Sequence, residues 1–280
     1  MSLPPQPAAF FLESDRGRHL AVLHSPPAGM PPRTAILHVH ALAEEMNKAR
    51  RMVAQQSRAL ARDGHAVLML DLTGCGDASG DFGDATWEGW LADVVLGSQW
   101  LRDHVPAPLW LWGLRAGGLL AAAAWDRISP APSGLLLWQA PASGQALLNQ
   151  FLRLKAAGSL ADGQAKATLD GLRNRLAAGQ AVEIGGYGLS AALAQGLGAA
   201  SLAPPRQAAQ VCLLETSTRA ESTLSPGTER LLADWRAAGW QAEARAVQGP
   251  PFWQTTEIED APGLLAATAA LLAMTPSAAA

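Results

Sequence analysis

The sequence predicts an α/β fold with a doubly wound, mostly parallel sheet, because apolar strand-like runs alternate with segments of helical periodicity. Two further observations refine this prediction. The chain opens with a hairpin pattern, which predicts antiparallel strands at one edge of the sheet. The alternation stops between residues 142 and 205, which predicts an inserted, mainly helical cap. We therefore expect a first core part at 1–141, the cap at 142–205 and a second core part at 206–280.

The first core part contains a regular succession of strand and helix patterns. Residues 65–72 form a continuous apolar run, typical of a parallel strand buried on both faces. Trp87, Trp90 and Leu91 begin an apolar face at helical spacing, and Asp84 is the expected N-cap. The expected elements are hairpin strands at 8–13 and 19–25, strands at 34–39, 65–72, 109–113 and 134–139, and helices at 44–62, 84–104 and 115–126.

The rest of the chain is interpreted in the same way. The region 142–205 is rich in Ala, Gly, Gln and Arg, and it ends at Pro204-Pro205. The expected elements are cap helices at 146–157 and 165–178, a short strand pair within 182–189, strands at 211–215 and 241–247, and helices at 228–238 and 257–274.

Composition excludes several function classes. The net charge is -3 and only 16% of the residues are charged, so basic residues are not in excess. We therefore expect no nucleic-acid partner. The apolar run at 264–274 is about half the length of a membrane span, so we expect no membrane insertion. Two cysteines, Cys75 and Cys212, do not suggest a disulfide framework, and the N-terminus lacks a secretory signal pattern. We expect a cytoplasmic protein without cofactor or metal.

The loop after the strand at 109–113 reads Gly-Leu-Arg-Ala-Gly-Gly. A strand, a tight turn and a helix in this order are the context of the nucleophile elbow, G-x-S-x-G, of α/β-hydrolases. The central residue here is Arg115, whose guanidinium stays protonated and cannot attack a carbonyl carbon. The sequence therefore predicts the α/β-hydrolase fold with an elbow that lacks its nucleophile.

The general base of the α/β-hydrolase triad is absent as well. Such enzymes carry their histidine after the last strand, which is the loop at 248–254 here. The six histidines stand at positions 19, 24, 38, 40, 65 and 104, so no histidine follows His104. Glu215 occupies the acid position but has no imidazole to orient. A serine-type hydrolysis is therefore not expected.

Two other loops contain candidate residues. His40 fits a structural histidine, and Glu44 and Glu45 either stabilise a helix N-terminus or act at the site. The Gly-x-Gly turn after residue 72 is a weak dinucleotide pattern, because no helix opens at the third glycine position. Cys75 is a candidate thiol without a partner to activate it, and Asp77 and Asp81 are candidate carboxylates.

Four blocks of the chain resemble the exosortase A system-associated hydrolase 2 family of the α/β-hydrolase superfamily. The blocks read EEMNKARRM at 44–52, DLTGCGDASGDFGDATW at 71–87, LWGLRAG at 111–117 and GPPFWQ at 249–254. The resemblance implies an arginine at the elbow and a place among exosortase, PEP-CTERM protein-sorting and exopolysaccharide genes of Gram-negative bacteria. It implies protein partners of that system and no particular substrate.

Three interpretations of Arg115 stay open at this point. A helix N-terminus and a guanidinium favour a small anionic ligand, for which we expect Arg115, Leu42, Leu114 and Ala116 as binding residues. A non-serine hydrolase would instead use Arg115, Glu44, Glu45, Cys75 or Asp77 on an ester, thioester or related bond. In the third interpretation, Glu44 or Glu45 pairs with Arg115 and plugs a degenerate site.

Overall fold

The structure, a computed structural model, describes residues 6–157, 164–219 and 221–273. The strands are β1 Ala8–Ser14, β2 Gly17–His24, β3 Thr34–Val39, β4 His65–Leu70, β5 Leu109–Leu114, β6 Gly134–Trp138, β7 Val182–Ile184, β8 Tyr187–Leu189, β9 Gln210–Ser217 and β10 Gln241–Gln248. The helices are α1 Glu44–Arg62, α2 Trp87–His104, α3 Ala116–Ala124, α4 Gly144–Ala157, α5 Ala165–Ala177, α6 Ala191–Ala199, α7 Pro226–Ala237 and α8 Pro262–Ala273.

Eight strands form the central sheet in the order β1-β2-β4-β3-β5-β6-β9-β10. The pairs β1–β2 and β2–β4 are antiparallel, and all other neighbours in this sheet are parallel. The carboxyl ends of β3, β5, β6, β9 and β10 therefore meet at one edge, where ligands bind in open parallel sheets. The predicted α/β-hydrolase fold, with its N-terminal antiparallel hairpin, is confirmed.

Helices cover both faces of the sheet. On one face α1 and α8 pack over a cluster that includes Trp112, Trp138 and Phe252, all with no more than 1% exposure. On the other face α2, α3 and α7 pack over a cluster that includes Trp125 and Trp235. Most of the ten tryptophans thus serve apolar packing, as their size favours.

The helices α4, α5 and α6 and the small β7–β8 sheet lie between β6 and β9, where the cap is expected. The helix α6 packs closely on α2, since a Cβ on Gly196 would lie 2.1 Å from Cβ of Trp87. Ser190 caps α6 and donates a hydrogen bond of 2.6 Å to the carbonyl of Ala85. These contacts join the inserted segment to the core, while its boundaries at 142 and 205 stay a prediction.

Several element boundaries differ from the expectations. The helix α2 begins at Trp87, and its N-cap is Thr86 instead of Asp84, which lies in a preceding 3-10 turn. The strand β4 ends at Leu70 because Asp71 begins the glycine-rich turn. The last helix begins at Pro262 instead of residue 257, and residue 274 lies outside the described residues. The helix α6 was not predicted, since its alanines and glycines give weak amphipathic periodicity.

None of the helices among the described residues is long and apolar enough to cross a membrane.

Candidate functional site

The turn between β5 and α3 has the backbone of a nucleophile elbow. Arg115 has φ 54° and ψ -117°, a conformation that costs a non-glycine residue about 1–3 kcal/mol. Glycine is needed on both sides, because a Cβ on Gly113 would lie 2.4 Å from Cα of Gly118 and one on Gly117 would lie 2.1 Å from the Val39 carbonyl oxygen. The predicted elbow is present, and an arginine occupies its strained position.

The Arg115 side chain is held by two partners from different elements. Its Nε and Nη2 donate to Oε1 of Glu45 at 3.2 and 3.1 Å. Its Nη2 also donates to Oε1 of Gln150 at 2.9 Å. Glu45 lies in the first turn of α1 and Gln150 lies on α4. The guanidinium therefore links the elbow to both α1 and α4.

An aromatic ring completes the surroundings of Arg115. The guanidinium carbon lies 5.5 Å from the ring centroid of Trp253, which is within cation–π range. Trp253 belongs to the loop after β10, where an α/β-hydrolase carries its catalytic histidine. Phe252 packs between Trp253 and Trp138 at centroid distances of 5.2 and 6.0 Å. The core thus fixes Trp253 against the elbow.

Glu45 has a buried carboxylate that its surroundings stabilise only in part. Burial raises its pKa, and the neighbouring Arg115 guanidinium only partly offsets this by lowering the pKa. Its second oxygen, Oε2, is buried and accepts no hydrogen bond from the described residues. The indole Nε1 of Trp253 is likewise buried and donates to no acceptor in the described part of the chain. Two unused polar atoms therefore lie on side chains that contact Arg115.

The triad acid position is occupied by a carboxylate with a structural task. Glu215 is 8% exposed and accepts hydrogen bonds from the backbone N–H of Ser225, from Ser225 Oγ at 3.0 Å and from Thr228 Oγ1 at 2.5 Å. These donors belong to the N-terminal turn of α7. Glu215 thus stabilises that helix end, consistent with the preference of carboxylates for helix N-termini.

The backbone amides of Leu42 and Ala116 stand where the fold places its oxyanion donors. Neither amide has a hydrogen-bond acceptor among the described residues. Leu42 also lines a neighbouring cleft. Leu114 is 1% exposed and packs into the cluster beneath α1 and α8, so its side chain does not reach the elbow face. Of the expected ligand-binding residues, Leu42, Ala116 and Arg115 come together and Leu114 does not.

Two cavities flank the Arg115 cluster. One of about 210 Å³ is lined by Arg115 itself together with Gln139 and Glu215. The other, of about 150 Å³, is a cleft lined by the Arg115 partners Glu45, Gln150 and Trp253. Residues of the Arg115 cluster therefore line both cavities.

The remaining candidate residues do not reach Arg115. Glu44 is exposed, and its carboxylate accepts hydrogen bonds from Tyr187 at 2.8 Å and Asn47 at 3.1 Å, so it joins α1 to β8. Asp77 and Asp81 lie exposed in the turn after β4. Cys75 is buried there, and burial raises the pKa of its thiol to about 12, with Asp71 and Asp93 adding to the effect. A reactive thiolate at Cys75 is therefore disfavoured.

His40 has the structural role that its position predicts. It is 6% exposed, its Nδ1 lies 2.8 Å from the Ala41 carbonyl oxygen, and its Nε2 accepts from the Leu72 N–H at 3.3 Å. Both ring nitrogens are therefore used, and burial lowers the pKa of the ring. Among residues 6–157, 164–219 and 221–273, no three His, Cys, Asp or Glu side chains group as ligands for a metal ion.

Sequence reasoning missed two residues of the Arg115 cluster. Trp253 lies in the loop that carries the catalytic histidine in α/β-hydrolases, and an aromatic residue there does not by itself predict contact with the elbow. Gln150 lies between Leu147 and Leu154 on the cleft-lining face of α4. Gln150 is a polar residue on an otherwise apolar face of this helix, and this pattern was the only feature of the sequence that could have indicated a role for it.

A family model described as serine aminopeptidase, S33, matches residues 30–168, just under half of the chain. No curated protein matches.

Several solved structures share the fold at low sequence identity. An α/β serine hydrolase without a lid from Xanthomonas campestris is 17% identical with a TM-score of 0.56, covering 96% of this chain and 93% of its own. Est1E from Butyrivibrio proteoclasticus with bound ferulic acid is 14% identical with a TM-score of 0.66, covering 95% and 98%. The α/β-hydrolase domain-containing protein 10 from mouse is 15% identical with a TM-score of 0.56, covering 95% and 97%.

Proposed function

We propose that the chain is a member of the α/β-hydrolase superfamily and that it is a binding protein whose elbow is closed to serine-hydrolase chemistry. One observation supports this most strongly. Arg115 occupies the nucleophile position and is held there by Glu45, Gln150 and Trp253. A guanidinium so placed cannot attack the carbonyl carbon of a substrate.

The experiment is labelling with a fluorophosphonate probe together with hydrolysis of p-nitrophenyl esters. The expected result is no label and no ester hydrolysis above the rate with heat-unfolded protein. A serine esterase serves as the positive control for the probe. Labelling of the native chain that disappears in one specific serine-to-alanine variant would overturn the proposal.

A second candidate function rests on Glu45. Burial raises its pKa and leaves Oε2 without a partner, which are properties of a carboxyl group suited to proton transfer. In this proposal the chain hydrolyses an ester, thioester or related bond, with Glu45 as general acid or base and Arg115 holding the developing anion. The test is Glu45→Gln, which must abolish any slow hydrolysis while Glu44→Gln leaves the rate unchanged.

A small anionic ligand is compatible with the donors that remain at the elbow. Arg115 Nη1 has no acceptor among the described residues, and the amides of Leu42 and Ala116 are also free. The test is a titration with acetate and with phosphate, followed by amide chemical shifts. The expected result is saturable shifts at these two amides, and uniform shifts across the protein would contradict anion binding there.

The resemblance to the exosortase A system-associated hydrolase 2 family supports a role beside protein sorting and exopolysaccharide synthesis. We propose that the partners of this chain are proteins encoded in the same gene cluster. Co-expression of each neighbour with the tagged chain tests this. The expected result is retention of at least one neighbour in high salt, and retention of none would contradict a direct interaction.

A further inference from the structure

The cleft beside the Arg115 cluster is mainly apolar. It lies where α4 meets the start of α1 and the loop after β10, and it has a volume of about 150 Å³. Its apolar walls come from Leu42, Leu147, Phe151, Leu154 and Trp253. Engineered apolar cavities of about 150 Å³ bind molecules of the size of benzene. The cleft therefore has room for an apolar body of about six carbon atoms.

The charges at the cleft disfavour an anion inside it. Its lining includes the carboxylates of Glu44 and Glu45 and the single ammonium of Lys48. The Lys48 ammonium already donates to the Thr255 carbonyl oxygen at 2.8 Å. The Arg115 guanidinium is already paired with Glu45 at 3.1 Å. The Lys48 ammonium lies near Glu44 and the Arg115 guanidinium pairs with Glu45, so the two cations balance the two carboxylates and leave no net positive charge to attract an anionic head group.

The unused polar atoms of the cleft define what a ligand must offer. Glu45 Oε2 lacks a donor and Trp253 Nε1 lacks an acceptor, and both side chains line the cleft. Both atoms are buried, so a ligand in the cleft reaches them only when the two side chains shift toward it. A hydroxyl group donates one hydrogen bond and accepts others, and thus serves both atoms. A buried polar atom left unpaired costs about 1–3 kcal/mol, so such a partner favours binding.

We propose that this cleft binds an uncharged alcohol with an apolar body of about six carbon atoms, its hydroxyl placed between Glu45 and Trp253. The inference rests on the proposed function in that the alcohol is held as a ligand and is not released as a product. Leu154, which is 62% exposed, lies at the cleft, where a bound apolar body would cover part of it.

The experiment is calorimetric titration of the full chain with 1-hexanol, hexanoate and hexylamine. The expected result is saturable binding of 1-hexanol that is about tenfold tighter than that of hexanoate, because the carboxylate faces Glu45 without donating to it. The variant Leu154→Trp, at an exposed position of the cleft, should weaken 1-hexanol binding about tenfold. Its matched control is Arg153→Trp, exposed on the same helix and outside the cleft lining, which should bind like the unaltered chain.

Three results would overturn the inference: no saturable binding of 1-hexanol, tighter binding of hexanoate or hexylamine, or equal effects of the two tryptophan variants. Incubation with hexyl acetate separates this outcome from the proposed function. Release of acetate from the ester would contradict the proposed absence of hydrolysis, whereas failure of 1-hexanol to bind contradicts only the ligand class.

Discussion

The guanidinium of Arg115 lies over the ring of Trp253, 5.5 Å from its centroid. These residues belong to the elbow after β5 and to the loop after β10, the two loops that bring nucleophile and base together in α/β-hydrolases. The two loops thus lie close together in this chain as well, and a cation–aromatic contact joins them. Such contacts stabilise by about 0.5–2 kcal/mol, so this pair contributes to stability where the fold usually performs chemistry.

Restoring the elbow serine should not restore hydrolysis. In Arg115→Ser we expect no fluorophosphonate labelling at position 115, because no histidine follows His104 and the buried His40 already uses both ring nitrogens. The measurement is intact-protein mass after probe treatment, with Arg115→Ala as the matched control. A label on the first variant that is missing from the second would show that a base is present.

Gln56 offers a test of core energetics. It is 0% exposed on α1, and neither its amide nitrogen nor its amide oxygen has a partner among the described residues. Because an unpaired buried amide costs about 1–3 kcal/mol, Gln56→Met should raise the free energy of unfolding by about 1 kcal/mol or more. Urea unfolding measures this change.

The neighbouring Gln55 is the control for this substitution. It donates to Asp260 at 3.3 Å, so Gln55→Met should leave stability equal or slightly lower. A loss of stability in Gln56→Met would instead show that its amide is satisfied in the native protein.

The sequence was sufficient to predict the fold because its signals are local. Buried strands such as β3 and β5 are continuous apolar runs, and the glycines around Arg115 mark a turn where backbones pass closely. Helix starts were less certain, since Asp84 and Thr86 are both good caps and only the preceding 3-10 turn selects Thr86.

The partners of Arg115 depend on contacts between distant parts of the chain. Glu44 and Glu45 are adjacent in the first turn of α1, and the sequence alone does not decide between them. The structure turns Glu44 outward to Tyr187 and Glu45 inward to Arg115. Gln150 lies on α4, whose placement over the sheet is set by packing between distant parts of the chain and not by any local pattern.

Stability should fall on mild acidification because of His65. Burial, with a smaller effect of Arg33, lowers the pKa of His65 to about 4. The unfolded chain binds a proton at this ring below about pH 6.5, whereas the native chain does so only near pH 4. The contribution of His65 to stability is therefore lost as the pH falls from about 6.5 to 4.

Urea unfolding at several pH values in this range checks the prediction. Burial also lowers the pKa values of His24, His38 and His40, so the variant His65→Gln should reduce the slope of stability against pH without abolishing it, while the exposed His104→Gln should leave the slope unchanged. The same slope in both variants would show that other groups cause the acid sensitivity.

Both cysteines should be slow to alkylate in the native protein. Burial raises the pKa of Cys75 and of Cys212 to about 12, so almost no thiolate exists at pH 8. We expect iodoacetamide to modify both residues readily in urea and neither in buffer, as followed by peptide mass spectrometry. Rapid alkylation of Cys75 in the native protein would contradict this prediction and support Cys75 as a nucleophile.

The most direct test of the closed elbow is a double-mutant cycle between Arg115 and Glu45. The two side chains are 9% and 20% exposed, so removal of one leaves the other charge mostly buried. We expect Arg115→Met and Glu45→Leu each to lower the free energy of unfolding by about 2–3 kcal/mol, and the double variant to lie within about 1 kcal/mol of the unaltered chain. A coupling energy near zero, with single effects that simply add, would contradict an elbow closed by this ion pair.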